Sequence, residues 1–492
     1  MRTVVCLILA AAAAGWAAAR PTAPAPERPQ SGGPATPAKP YGIGTPPGVP
    51  MPGLSCSASA CHGGGQAGRP GSEHSTWATD LTVQPGAPHD PHGKAYRVLF
   101  NADSARMSKL LGRGAAHTDA LCLKCHATAG VADDAAIAEG VSCAACHGPA
   151  EKWLTTHYLP DWKALSNRAK WDHGFVPTKN LVARISNCAT CHVGAADREV
   201  NHDLIAAGHP RLAFEYGRFH FQPDYRKHWS EATPQPDFEV RAWAVGQAAG
   251  LRAAVELVRT RAERAAKHDA NTPWPEFSEG SCYACHQDVV RDPFPTDGGP
   301  ALRGAQGGRA REKSGAVPWQ TWYASTAGAT DLHGLIVPGG GGAIDLKALR
   351  TEMEKRSPDP AKVVKLADDA LALLDARLAA WQAAEDAGTL AKLTPERSRE
   401  VGRRLTAGAL DDKDELTDYD WDFVAQRYLG LAALYHANGG TGPVAGWRPP
   451  LDQLRAALAF PRPAGGTRFD SPRAYQPKNA AAPLAELSRS TR

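Results

Sequence analysis

The chain has 492 residues, 43% of them hydrophobic but only 7% aromatic, with 48 glycines and 40 prolines. This is enough for two or three domains, with much of the length expected as loop. The formal net charge of +4 is weak, and no basic run carries interleaved aromatics, so nucleic acid is excluded as the expected partner. No run of 18 apolar residues follows the N-terminus, so no membrane span is expected in the mature chain.

Residues 1–19 read as a secretory signal: Arg2 is the positive start, Val4 to Ala14 the apolar run, and Ala17-Ala18-Ala19 the cleavage site. The run is short for a membrane anchor. Cys6 lies inside it and is expected to be lost. Residues 20–54 form a tether. Eleven prolines between positions 21 and 53 forbid a helix or a sheet ladder there and favour an extended chain.

Residues 55–295 carry the chemistry. Ten cysteines form five pairs, each followed at once by histidine: Cys56-SASA-Cys61-His62, Cys122-LK-Cys125-His126, Cys143-AA-Cys146-His147, Cys188-AT-Cys191-His192 and Cys282-YA-Cys285-His286. C-x-x-C-H attaches c-type haem. The two thiols add across the vinyl groups of the porphyrin, and the adjacent imidazole becomes the proximal iron ligand. Structural zinc does not need an abutting histidine each time. A redox C-x-x-C pair is expected once, beside a βαβ pattern, and a disulfide framework explains the even count but not the histidines. The pattern predicts five covalently attached haems. At the widened first motif, single attachment or a disulfide stays open as the alternative.

Of the 18 histidines, five are proximal and thirteen are left over, so some are expected to be distal ligands. His157 follows "GPAEKWLTT" after His147 and suits a short helix leading back over a haem. His92 opens an apolar segment, whereas His89 reads as loop. His117 stands five residues before Cys122. His202 and His209 are seven apart, two helical turns, although Pro210 disfavours a continuous helix through His209. His220 is a weaker candidate. The stretch 237–268 reads as a core-facing helix, with Val240, Trp243, Ala244, Ala248, Leu251, Val255 and Val258 at helical spacing and Arg and Glu on much of the other face. Residues 296–345 are a Gly/Pro-rich linker. In it, "PWQTWYAS" either packs or covers a haem edge, and "PGGGGA" matches no dinucleotide fingerprint.

Residues 346–492 turn helical and lack cysteine. Asp359-Pro360 and Thr394-Pro395 are helix starts. Leu366, Ala370, Leu373, Leu374, Leu378 and Trp381 line one side of the first helix. A third helix runs from about Asp418 to Ala437 and stops at Asn438-Gly439-Gly440. These helices either form a bundle of their own or pack on the haem region. The fold class expected is mainly α with extensive loops: a multihaem cytochrome c core with a C-terminal helical region.

The motif order, the segment "EGVSCAACHGPAEKWLTTH" and the segment "NHDLIAAGHPRL" resemble the cytochrome c554-type multihaem cytochromes, which share a haem arrangement with hydroxylamine oxidoreductases and pentahaem nitrite reductases. The resemblance covers roughly residues 55–290. It implies closely packed haems, some in stacked pairs, and the 21 residues between His126 and His147 suit such a pair. It also implies that His157 caps the haem of Cys143/Cys146, His92 that of Cys188/Cys191, and His209 or His202 that of Cys56/Cys61. The family's second haem can lack a distal protein ligand, which makes the haem at His126 the candidate open site unless His117 fills it. The first motif is wider than the family's, the haem at Cys282 is additional, and no C-x-x-C-K motif is present.

The function expected is that of an electron carrier, periplasmic or otherwise exported, whose partners are redox proteins, either other cytochromes or a quinol-linked donor. The alternative is an oxidoreductase acting on a small nitrogen or sulfur compound at an open iron beside His126. Tyr216 and Tyr225 are its candidate proton carriers, and packing is the other role open to both. A third idea gives the C-terminal helices a docking function. No Walker, G-x-S-x-G or H-E-x-x-H motif offers other chemistry.

Overall fold

The computed structural model describes residues 39–64, 71–221, 237–267, 272–280, 319, 322–324, 344–407, 421–459, 475 and 477–491. The chain is mainly helical. Two isolated bridges, Ala195 with Arg198 and Gly280 with Trp319, occur among these residues, but no strand does.

The first half is a string of short helices: α1 (Glu73–Ala78), α2 (Ala102–Leu110), α3 (Ala120–His126), α4 (Asp134–Ala138), α5 (Cys143–His147), α6 (Pro160–Ala164) and α7 (Asn167–Asp172). The starts of α2, α3, α4 and α7 are set by side chains that satisfy free first-turn amides. Asn101 Oδ1 accepts from Ser104 N at 2.7 Å, Asp119 Oδ1 from Leu121 N at 2.8 Å and Ser166 Oγ from Ala169 N at 3.1 Å. Few apolar side chains support them. Between residues 54 and 147 the only buried hydrophobic residues described are Leu99, Ala116, Ala127 and Ala136.

The second half is different. α8 (Leu181–His192) leads through α9 (His202–Ala207) and α10 (Tyr216–His220) to the 29-residue α11 (Phe238–Ala266). Beyond it lie α12 (Lys347–Met353), α13 (Pro360–Asp386), α14 (Pro395–Leu405), α15 (Trp421–Ala437), α16 (Arg448–Leu458) and α17 (Pro477–Ser490). One continuous core joins α8, α10 and α11 to all of the C-terminal helices. Of the two arrangements left open by the sequence, the C-terminal helices adopt the second and pack on the region that carries the C-x-x-C-H motifs, with α13 laid along α11.

Two sequence expectations change here. α11 is not half-solvated: Arg241, Arg252 and Arg261 are buried with its apolar residues. Arg252 pairs with Asp375 of α13 at 2.6 Å, and Arg261 with Glu199 at 2.7 Å and Glu279 at 2.6 Å. A guanidinium survives burial only with partners of this kind. On α13 the buried stripe is Val363, Ala367, Ala370, Leu374, Leu378 and Trp381, while Leu373 is 53% exposed. The described residues of "PWQTWYAS", Trp319, Trp322, Tyr323 and Ala324, are packed in the core. The Trp322 indole donates to Phe214 O at 2.9 Å, and the Tyr323 hydroxyl donates to Leu212 O at 3.0 Å. Residues 39–54 of the tether lie against the body. Tyr41 is buried, and its backbone N and O both bond the Gln382 side chain.

Candidate haem-binding sites

Each C-x-x-C-H motif in the described residues ends a helix. The second closes α3, the third is the whole of α5, and the fourth is the last turn of α8. A helix brings residues i, i+3 and i+4 to one face, so both thiols and the histidine point the same way. Gly148 (φ 80°) ends α5 where no side chain fits, since a Cβ there would meet Gly174 O at 2.1 Å. The first motif is not helical. Cys56 ends a 3-10 turn, Gly53–Cys56, and the loop that follows is closed by Cys61 N and Gly63 N on Ala58 O. Cys282, Cys285 and His286 lie outside the described residues, as does Tyr225.

The leftover histidines meet the proximal ones in three pairs. His157 faces His62 with ring centres 6.2 Å apart, His92 faces His192 at 6.0 Å, and His209 faces His126 at 6.5 Å. With metal–imidazole bonds of about 2.0–2.1 Å and about 1.1 Å from nitrogen to ring centre, two axial imidazoles on one ion stand ~6.2 Å apart. The His92 pairing coincides with the one the family resemblance implies. The other two do not: the His157 ring stands against His62 instead of the third motif, and His209 stands against His126, the candidate open site. His147 has Phe175 at 6.2 Å. His117 stacks on Phe100 at 4.3 Å, and His202, at the start of α9, lies against Phe277 at 6.0 Å.

Hydrogen bonds fix which nitrogen of each ring looks inward. Nδ1 of His126 bonds Ala95 O (2.8 Å), that of His157 bonds Leu154 O (2.7 Å) and that of His209 bonds Pro210 O (2.8 Å). Nδ1 of His62 bonds the Glu73 carboxylate (3.1 Å), and that of His92 bonds Asp90 Oδ1 (2.8 Å). All five rings therefore donate through Nδ1 and leave Nε2 as the ligating nitrogen. Burial pushes His192 down to about 4, with His92 adding to the effect, so it is neutral as a ligand must be. Burial also lowers His209, outweighing the opposing pull of the Pro210 carbonyl. Burial works to lower His92 too, but the bond to Asp90 and its charge carry that ring above its ordinary value.

The thiols show how the motifs follow one another in space. The Cys143 thiol donates to Cys56, lowering Cys56 to about 7, and the Cys125 thiol donates to Cys191, lowering Cys191 to about 6. Cys146 and Cys188 also interact, and Asn187 Nδ2 ties α8 to Ala145 O (3.0 Å) and Cys146 O (3.3 Å) of α5. The order is first, third, fourth, second. The close neighbours are thus the first with the third and the second with the fourth, not the second and third as their short sequence interval suggests.

Two further observations fit haem. The described residues between 54 and 147 bury few apolar side chains, and a large apolar ring at each motif would serve as their core. Around the first motif, two buried polar atoms have no hydrogen-bond partner: Nε1 of Trp153, whose ring lies 5.5 Å from His157, and Nε2 of His74. Glu73, Asp90, Trp153 and Asn187 were not singled out from the sequence. Asp90-Pro91-His92 is legible as a turn with an Asp cap, but not as a contact to a ligand ring.

Residues 88–148 match the model of a family described as cytochrome c554 and c-prime. This segment holds His92 and the second and third motifs. No curated protein and no solved structure matches the chain significantly. Among the described residues, no helix is long and apolar enough to cross a membrane. Facing imidazoles, helix-borne thiols and the matched segment agree: over residues 88–148 the chain is similar to the cytochrome c554 family, and this match supports a c-type cytochrome of electron transfer.

Proposed function

We propose that the chain is an exported, periplasmic cytochrome that carries electrons through five covalently attached haems. Haem supplies one-electron chemistry at an iron whose potential the protein tunes. The observation that carries the reading is the set of three imidazole pairs at 6.0–6.5 Å. His62 with His157, His92 with His192 and His126 with His209 would each hold one iron on both faces, leaving no site for a substrate there. The cysteine pairs would hold the rings, and the contacts Cys56–Cys143 and Cys125–Cys191, with the tie from Asn187 to Ala145 and Cys146, would keep successive haems close. Other cytochromes or a quinol-linked donor would be the partners. His202 is the candidate distal ligand of the fifth haem. Its amide is bonded by Glu276 at 2.8 Å, and its ring lies on Phe277, five residues before Cys282.

Intact mass and low-temperature EPR of the protein secreted from a haem-maturing host test this. The expected result is a chain lacking residues 1–19, carrying five haems and showing low-spin ferric signals from the three paired sites. Fewer than three haems, or signals that are mainly high-spin, would sink the proposal.

A further inference from the structure

The three imidazole pairs differ in what holds their outward nitrogens. In the His126–His209 pair both acceptors are neutral backbone carbonyls, Ala95 O and Pro210 O, each at 2.8 Å. In the His92–His192 pair the acceptor for His92 is a carboxylate, Asp90 Oδ1, at 2.8 Å. Asp90 is only 5% exposed. It is held from both sides: Oδ1 also accepts from His92 N at 3.0 Å, and its own amide donates to Thr76 O at 3.3 Å. Pro91 fixes the turn between them. In the His62–His157 pair a carboxylate is again present, but the bond from His62 to Glu73 is 3.1 Å and both side chains are well exposed, at 46% and 38%.

A carboxylate that accepts the Nδ1 proton makes the imidazole a more basic ligand. A more basic ligand favours the more highly charged ferric iron, and hydrogen bonding around a haem is one of the settings of its potential. The effect is stronger where the carboxylate is shielded from water. A carbonyl acceptor carries no net charge and does this less.

We propose that Asp90 is a positioning residue that lowers the reduction potential of the haem held by His92 and His192 below that of the haem held by His126 and His209, with Glu73 acting in the same sense but more weakly at His62. This rests on the histidine-pair reading above. Since Cys125 and Cys191 touch, the two contrasted sites are neighbours, and an electron shared between them would favour the His126 side.

The test is an EPR-monitored potentiometric titration of the holoprotein. His92→Ala and His209→Ala each abolish one low-spin component and so assign it in wild type. The component assigned through His92 is expected to titrate at the lower potential. Asp90→Asn keeps the shape and the acceptor oxygen but removes the charge. It should raise that one potential while its low-spin signal persists, and Glu73→Gln should give a smaller rise at another component. An Asp90→Asn protein with every potential unchanged, or a wild type with the two components in the opposite order, would overturn the proposal while leaving the ligand pairs standing. If neither histidine variant removes a low-spin component, the pairs themselves fail and the proposal with them. The wild-type order remains decisive even if Asp90→Asn does not fold.

Discussion

His209 is the residue on which the choice between a carrier and an enzyme turns. Its ring stands 6.5 Å from His126, where the family resemblance leaves an open face. His209→Ala is expected to convert one haem to a high-spin form that binds cyanide or nitrite. Wild type should show no such form at this haem, as an optical titration would read. Glu385 offers a second residue-scale prediction. It accepts Leu181 N at the start of α8 with both oxygens, at 3.0 and 3.1 Å. Burial raises it to about 7, against the pull of the Leu181 amide and of Arg241 and Arg184. A carboxyl whose folded pKa lies above its unfolded value contributes most below the unfolded value, about 4.3. It loses that contribution as pH rises to the folded one. Wild type should therefore lose stability relative to Glu385→Gln between pH 4.5 and pH 7.5, by about 3 kcal/mol, and then run parallel to it. Urea midpoints of both proteins across that range decide the matter, and parallel curves throughout would refute it.

Packing of α13 and α15 against α11 is what a helix-scale experiment can measure. Leu374 is fully buried, and its neighbour Leu373 is 53% exposed. Leu374→Ala is expected to cost about 2–5 kcal/mol, whereas Leu373→Ala should stay within about 0.5 kcal/mol. Gly430 of α15 receives the Trp243 ring, which a Cβ would approach to 2.6 Å. Gly430→Ala should cost about 1–3 kcal/mol through overpacking, visible as a lower urea midpoint with unchanged haem spectra. Periodicity placed α11 and α13 correctly because each repeats apolar residues over many turns. It did not separate Leu373 from Leu374, because the helix's apolar residues spread over a wide arc: the two stand about 100° apart, and the partner helix covers the side of Leu374 and leaves Leu373 in solvent. α16 and α17 were not legible at all: Pro449-Pro450 and Pro483 look like helix breakers, yet the first two sit in the opening turn of α16 and the last lies inside α17.

Across the whole molecule, stability is unevenly supplied. The described residues between 181 and 490 share one core, whereas those between 54 and 147 bury few apolar side chains besides Leu99 and three alanines. Replacing the motif cysteines by serine should therefore leave the C-terminal core folded while the first half becomes sensitive to protease. Limited proteolysis followed by mass mapping checks this, and uniform protection of both halves would contradict it. The same unevenness changes what deletion of residues 346–492 can test. That cut strips Val363, Ala370, Leu374 and Leu378 from α11 and α8, so the expected product is insoluble, and partner docking has to be probed with surface substitutions.

The cysteine and histidine spacing by itself determined the cofactor chemistry and the helical character, because C-x-x-C-H serves its chemistry within five residues and a helix face repeats within four. Only the tertiary structure decided which histidine meets which. His157 stands ten residues from His147 yet its ring faces His62, and His209 stands 83 residues beyond His126 and faces it. The acceptors Asp90 and Glu73 could not be read either. An axial pair is a contact between distant turns, set by how the short helices fold around one another, and no local spacing encodes it.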